Sequence, residues 1–173
     1  TNLFKNVIAS SDAFTDVIAD SNGIIYASDS KGYIYVYTRD GELIFCLGEE
    51  AGNNDVSGLF SSLTTIAVDN NGNIWTADGK KGFIQSFTPT EYATTIYKAL
   101  QEYENGDYTD ALKDWNYVLR LNQMSVLAHN GVAKAYYNDE EYDKAMEHFE
   151  IAGNRSGYSN FFWEVRNKGI QKD

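Results

Sequence analysis

The stretch Tyr108-Thr109-Asp110-Ala111 recurs 34 positions later as Tyr142-Asp143-Lys144-Ala145. Neighbouring residues recur in the same register, since Ala99 matches Ala133 at the same offset. A fixed period of this length, with small and aromatic residues in register, is typical of stacked helix hairpins. Such repeats bind partners far more often than they catalyse reactions, so the second half of the chain predicts a binding module.

Helix start and stop signals set the expected bounds of these hairpins. The apolar period changes from 2 to 3.6 after Pro89, the single proline, and Thr90 is suited to cap the first helix. Turns are expected at Gly106 and at residues 139–141. A further helix would begin where a third repeat starts, and it would cover the last hairpin. The expected helices span residues 91–105, 108–121, 125–138, 142–153 and 159–171.

The first half carries a different repeat, with an offset of 49 residues. Residues 20–29 (DSNGIIYASD) align without gaps with residues 69–78 (DNNGNIWTAD), and each copy continues into another alternating segment. An Asn-Gly pair between two apolar runs predicts a hairpin with a type I′ turn, in which both central residues have positive φ. Each copy therefore predicts three or four short antiparallel strands over about 50 residues.

These residues resemble NHL repeats, the earlier copy over residues 14–47 and the later one over residues 59–87. The family commonly has a proline where Leu63 stands. The resemblance implies blades of a β-propeller. Because a closed propeller takes roughly four to eight blades, two blades predict either further blades upstream or self-association through open sheet edges.

The hairpins resemble tetratricopeptide repeats. Trp115 and Phe149 would fill the space between hairpins, while Gln123 and Glu102 stand where the family often has a proline and an aromatic residue. The small residues that let the helices approach are Ala99, Ala111, Ala133 and Ala145. The expected fold is segregated α+β, with about two propeller-type blades of an incomplete ring in residues 1–88. An all-α tetratricopeptide array with a C-terminal capping helix would follow in residues 89–173.

The order of the two repeats is similar to that of a group of bacterial envelope proteins. In that group, NHL repeats precede tetratricopeptide repeats and a C-terminal Yip-type membrane domain. The direct junction over residues 87–92 and the stretch 154–159 carry this likeness. The resemblance implies an extracytoplasmic location and a membrane segment beyond Asp173.

Composition excludes several classes of partner. The formal net charge of -11 argues against binding to nucleic acid, which needs a positive surface, and against docking on anionic lipid. No run of residues reaches the roughly 20 apolar positions that a membrane helix needs. The single cysteine, Cys46, lies in an apolar run and is expected to be a small buried side chain.

No catalytic, cofactor or metal motif is recognisable, so we expect no catalytic residue, no cofactor and no metal. Asp29 and Asp78 end equivalent strands, which favours capping of turns over metal binding. Residues 69–73 lack the spacing of a calcium loop. His129 and His148 have no cysteine or histidine at ligand spacing in the sequence, so both are expected at surface or satisfied positions.

The inner helices of the hairpins carry the candidate binding residues, because these helices line the concave surface in this repeat class. Asn130 and Lys134 lie one turn apart and would hold a peptide carboxylate or backbone. A solvated helix face is the simpler interpretation. Residues 161–163 (FFW) are expected to cover the last hairpin rather than to bind a partner. The candidate partner-binding residues are Ile96, Leu100, Tyr103, Asn130, Lys134 and Tyr137.

Three functions remain open at this point. The first is a non-enzymatic scaffold that binds a protein or peptide partner. The second is part of a metal-dependent enzyme, because NHL-like propellers resemble sugar-lactone hydrolases that hold a divalent metal on the central axis. The third is carbohydrate binding through Tyr33, Tyr35 and Tyr37, which strand alternation places on one face. Packing between blades explains that aromatic face more simply.

Overall fold

The computed structural model describes residues 13–51 and 56–154. The fold is segregated α+β, with antiparallel sheets followed by four packed helices. The chain divides into two compact units between Pro89 and Thr90, one residue from the predicted boundary. A closed propeller is not formed by the described strands.

Nine short strands form three sheets in the described part of the first unit. The first sheet is antiparallel with its four strands in sequence order, and the second sheet is a three-stranded antiparallel meander. A two-stranded parallel pair lies between them in the sequence. The first sheet contains β1 (Phe14–Ala19), β2 (Ile25–Asp29), β3 (Ile34–Tyr37) and β4 (Leu43–Leu47); the parallel pair contains β5 (Glu49–Glu50) and β6 (Leu59–Phe60); the second sheet contains β7 (Leu63–Val68), β8 (Ile74–Asp78) and β9 (Phe83–Phe87). The predicted three or four strands per copy are confirmed.

The first hairpin turn of each sheet is wider than the predicted type I′ turn. Gly23 and Gly72 have φ of 80° and 78°, but the asparagine before each glycine does not have positive φ. An aspartate opens each turn instead. Asp20 Oδ1 accepts hydrogen bonds from the backbone N–H of residues 22 and 24, both at 2.9 Å, and Asp69 does the same for residues 71 and 73. The type I′ prediction is wrong because the aspartate supplies the partners of the turn backbone.

The two main sheets pack face to face through the inner strands β1, β2 and β7. Tyr26, Ile34 and Val36 lie on one face of the first sheet, and all three are completely buried. Asp16 lies on the same face, and its Oδ2 accepts hydrogen bonds from Thr65 Oγ1 at 2.7 Å and from the N–H of Ile66 at 3.0 Å. The core of this unit therefore lies between the sheets.

Cys46 is exposed, which corrects the prediction of a buried side chain. It lies on β4, the outermost strand of the first sheet, opposite Tyr35. An apolar run does not show which of its alternating side chains face the packed side of the sheet. Cys46 faces the other side.

Four helices form the described part of the second unit, close to the predicted bounds. Thr90 caps α1 by accepting a hydrogen bond from the N–H of Ala93, and Gly106 ends that helix with φ of 88°. Ser125 caps α3 through the N–H of Ala128. The helices are α1 (Glu91–Asn105), α2 (Tyr108–Leu121), α3 (Val126–Asn138) and α4 (Tyr142–Ile151). The predicted helix over residues 159–171 and the aromatic residues 161–163 lie outside the described residues.

The helical core contains the small and aromatic residues that define the 34-residue period. Trp115 and Phe149 are buried, as are the four alanines at the repeated positions Ala99, Ala111, Ala133 and Ala145. Trp115 packs over Gly131 of α3, where a side chain would collide with the indole ring. The predicted packing between hairpins is confirmed for Trp115, whereas Phe149 packs within the second hairpin against Ala133 and Ala145.

Candidate partner-binding surface

The six candidate binding residues lie on α1 and α3, and these two helices contact each other. Ile96, Leu100 and Tyr103 come from α1, and the other three come from the matching positions of α3. Spacings of three and four residues place each group on one side of its helix. The structure therefore brings the candidates onto two neighbouring helices.

Ile96 and Asn130 are buried, so their side chains do not reach a partner in this conformation. The side-chain oxygen of Asn130 accepts a hydrogen bond from Asn154 Nδ2 at 3.1 Å, which ties α3 to the residues after α4. The expected pairing of Asn130 with Lys134 around a peptide carboxylate is thereby corrected. Asn130 is engaged in a structural contact, so a partner would contact Lys134 without contacting Asn130.

The remaining four candidates, Leu100, Tyr103, Lys134 and Tyr137, are half-buried, and we call them the groove residues. The Tyr103 ring lies 5.3 Å from the ring of Tyr108. One repeat later, the Tyr137 ring lies 5.5 Å from that of Tyr142. Each inner helix therefore holds a tyrosine against the first residue of the next helix, which limits its rotamers.

A polar contact joins the two inner helices beside these rings. Asn138 Nδ2 donates hydrogen bonds to Tyr103 Oη at 3.1 Å and to the backbone carbonyl of Lys134 at 2.8 Å. The Asn138 amide thus holds the end of α1 against the end of α3. A positioned aromatic surface of this kind loses little side-chain entropy when a partner binds.

Glu102 forms part of an ion-pair network between the first two helices. Lys98 Nζ lies 3.1 Å from Glu102 Oε1 and 2.7 Å from Asp114 Oδ2, so it links α1 to α2. The hydrogen bonds to Asp114 and Glu102 raise the pKa of Lys98. The network is a polar contact between α1 and α2.

His129 and His148 meet across α3 and α4, with their Nδ1 atoms 2.9 Å apart. His129 Nε2 donates to the backbone carbonyl of Gln123 at 3.0 Å, because a carbonyl only accepts. Neutral His129 therefore accepts at Nδ1 the hydrogen that His148 donates. Burial, and then the neighbouring His129, lowers the pKa of His148 below its usual value.

Sequence reasoning missed this histidine pair, although the signal was present. His129 lies ten residues before Asp139 in the turn, and His148 lies nine residues after it. Two antiparallel helices place residues at equal distances from their turn side by side. Spacing along the chain alone does not reveal such a pair.

The aspartates at the ends of β2 and β8 satisfy turn backbone, as predicted. Asp29 Oδ1 accepts from the N–H groups of Lys31 and Tyr33, both at 3.0 Å. Asp78 accepts from four N–H groups, those of residues 61, 62, 80 and 81. Burial opposes the charge of Asp78, but these backbone donors hold its pKa below the usual value. Both carboxylates are engaged in holding loops.

Asp69 behaves in the same way at the turn before β8. Its carboxylate accepts hydrogen bonds from Asn73 Nδ2 at 2.8 Å and from Trp75 Nε1 at 3.1 Å. These two side chains, with the backbone N–H groups of the turn, lower the pKa of Asp69 to about 2. The aspartate therefore organises its own loop.

An open cavity of about 230 Å³ lies near the helix turns, lined by residues 106–110 and Asp139. Its acidic side chains are Asp107, Asp110 and Asp139, and Lys113 pairs with Asp110 at 2.6 Å. Across residues 13–51 and 56–154, the histidine, cysteine, aspartate and glutamate side chains form no group of three or more suited to hold a metal ion. This cavity therefore does not stand out as a chemical site.

In the part of the chain that the structure describes, no helix has both the length and the apolar character that crossing a membrane requires. No known family model matches the chain, and no curated protein shows significant similarity to it.

Proposed function

We propose that the chain is a non-enzymatic protein–protein interaction module, with the groove residues contacting a protein or peptide partner. In this proposal the two sheets are NHL-type propeller blades and the helices are tetratricopeptide repeats. The repeated small residues of the helical core and the strand-turn-strand order of both sheets support these assignments. The module would belong to a larger, membrane-anchored bacterial envelope protein and act outside the membrane, which rests on the order of the two repeats.

The observation that carries the proposal is the repeated pair of held tyrosines on neighbouring inner helices. Tyr103 and Tyr137 lie at matching positions of the 34-residue period, and so do Leu100 and Lys134. Rigid aromatic rings beside an aliphatic side chain and a cation suit an apolar peptide segment with an acidic group. Lys134 is the positively charged member of the groove residues, so the acidic group of such a peptide would lie beside it.

A display selection of random peptides on the purified chain tests this proposal. We expect enriched peptides whose binding falls at least about tenfold with Leu100→Asp or Lys134→Glu, as expected when an interface anchor is lost. Asn116→Asp is the matched control, because Asn116 is exposed on α2 and the change adds one negative charge. Failure to enrich any peptide, or equal binding to all three variants, would contradict the proposal.

The two alternatives gain no specific support from the described residues. Asp29 and Asp78, the strand-end carboxylates that a metal-dependent enzyme would use, are occupied by backbone N–H groups. The tyrosines of β3 stack along one sheet face, where the rings of Tyr35 and Tyr37 lie 6.5 Å apart. Ring contacts within β3 account for this stacking without a bound sugar.

A further inference from the structure

The first sheet has one apolar face that the second sheet does not cover. Cross-strand pairing places Val17 beside Ala27, Ala27 beside Tyr35, and Ile25 beside Tyr37 on this face. Directly paired residues point to the same side of a sheet. We call these five residues the tyrosine face; Phe14, whose ring meets that of Tyr35 at 6.1 Å, extends it.

The repeat shows what normally covers a face of this kind. The 49-residue offset matches Val17 to Ile66 and Ile25 to Ile74. Ile66 and Ile74 are both 5% exposed in the second sheet, which packs on the first, whereas Val17 is 64% exposed. Val17 is therefore open where its counterpart is buried by a neighbouring sheet. Ile25 and Tyr35 are half-buried, whereas Ala27 and Tyr37, at 6% and 3% exposed, are already buried.

The second sheet is open on its opposite face. Pairing places Ala67 beside Trp75, Trp75 beside Ser86, and Ala77 beside Ile84 on one side. We call these five residues the tryptophan face. Trp75 is 44% exposed and Ile84 is 70% exposed. Their counterparts in the first sheet, Tyr26 and Ile34, are completely buried between the two sheets.

The tryptophan face and the exposed β1 side of the tyrosine face therefore match the two halves of the interface that already joins the sheets. We propose that the tryptophan face of one copy of the chain packs on the tyrosine face of a second copy. The contact repeats the internal packing of the first sheet on the second. Both faces are composed of apolar, aromatic and small residues without a formal charge, so their association removes apolar surface from water.

This contact is head-to-tail, because each copy offers two different faces. Such an interface either closes into a ring or extends as an open chain, since every added copy leaves one face of each kind free. One polar contact of the internal interface would be missing. The position of Asp16, whose carboxylate anchors the internal interface, is occupied by Thr65 in the second sheet. The contact between copies is consequently weaker than the internal one and depends on concentration.

The inference goes beyond the proposed function, because it concerns the sheets and not the groove residues. Sedimentation velocity of the full chain over a concentration series provides the test. We expect the wild type to form oligomers as concentration rises, and Val17→Glu and Ile84→Glu each to remain monomeric, because each places a charge on one face. Asn116→Glu adds the same charge at an exposed position of α2, and this variant should associate like the wild type.

Mixing the two face variants gives the decisive result. Val17→Glu retains the tryptophan face and Ile84→Glu retains the tyrosine face, so an equimolar mixture should form a dimer and stop there. Circular dichroism of each variant checks that it is folded. A wild type that remains monomeric at several hundred micromolar would overturn the proposal. That result is expected if another part of the same chain covers these faces. A mixture that stays monomeric, or face variants that associate like the wild type, would also overturn it.

Discussion

Aspartate side chains replace backbone partners at the turns of the sheet unit. Asp20 and Asp69 each accept two backbone hydrogen bonds in equivalent turns, and Asp78 accepts four. A carboxylate with several hydrogen-bond donors is stabilised in its charged form. This explains the low pKa of Asp69, held by Asn73, Trp75 and its turn backbone, and that of Asp78, held by backbone N–H groups. Asp69 and Asp78 contribute stability above their ordinary pKa of 3.8, and that contribution is lost as pH falls towards their lowered values.

Protonation of His148 should destabilise the helical unit at a higher pH than protonation of the aspartates destabilises the sheet unit. Its pKa in the folded chain lies below 6.5, because burial and His129 both disfavour its charged form. The unfolded chain therefore binds a proton more readily, so the free energy of unfolding is greatest above about pH 6.5 and falls as pH decreases through the folded pKa. We expect urea unfolding, followed by helical circular dichroism, to show lower stability at pH 5 than at pH 7.5.

The matched variant for this prediction is His148→Gln, which keeps a polar side chain beside His129 but does not titrate. Its stability should change less between pH 7.5 and pH 5 than that of the wild type. Aspartates contribute little in this window, because their ordinary pKa of 3.8 is already below it and is lowered further at Asp69. Equal stability of the wild type at the two pH values would show that the histidine pair does not couple to folding.

At the scale of the element, the indole ring of Trp115 packs over Gly131 of α3 and limits which side chain that position accepts. A glycine in a helix interior normally costs about 1 kcal/mol relative to alanine. At Gly131, however, a Cβ atom would lie 2.5 Å from Trp115 Nε1 and 2.6 Å from Cδ2. We expect Gly131→Ala to lower the free energy of unfolding by about 1 to 3 kcal/mol, because overpacking outweighs helix propensity.

Urea unfolding of further variants separates this collision from a general effect of alanine substitution in a helix. Gln101→Ala, at an exposed site of α1, should change stability by less than about 0.5 kcal/mol. Trp115→Phe removes part of the ring above Gly131, so the double variant should lose less stability than the sum of the two single changes. A stabilised Gly131→Ala protein would mean that the ring moves aside without cost.

Local signals predicted the helices well, and tertiary contacts explain most of what they missed. Thr90 and Gly106 define the ends of α1 through their own caps, so its predicted bounds are confirmed. The exposure of Cys46 and the burial of Ile96 depend instead on which face another element covers. Sequence periodicity identifies the face of an element but not its neighbour. The histidine pair was accessible from the sequence, because it follows from the position of the turn.

At the scale of the whole molecule, charge and apolar surface oppose each other when copies meet. Each copy carries a formal net charge of -11, whereas the tyrosine and tryptophan faces carry none. Repulsion between copies should therefore weaken association at low ionic strength, and salt should screen it, since the screening length falls from about 10 Å at 0.1 M to about 3 Å at 1 M. Association driven by charge complementarity would show the opposite dependence.

We therefore expect the dissociation constant between copies to fall severalfold when sodium chloride is raised from about 0.05 to 0.5 M, because screening removes long-range repulsion while apolar contact persists. Sedimentation equilibrium at the two salt concentrations measures this change. The Val17→Glu variant is the control, because it should stay monomeric at both concentrations, whereas salt-induced aggregation would affect it like the wild type. Weaker association of the wild type at high salt would show that charged groups, and not the two apolar faces, hold the copies together.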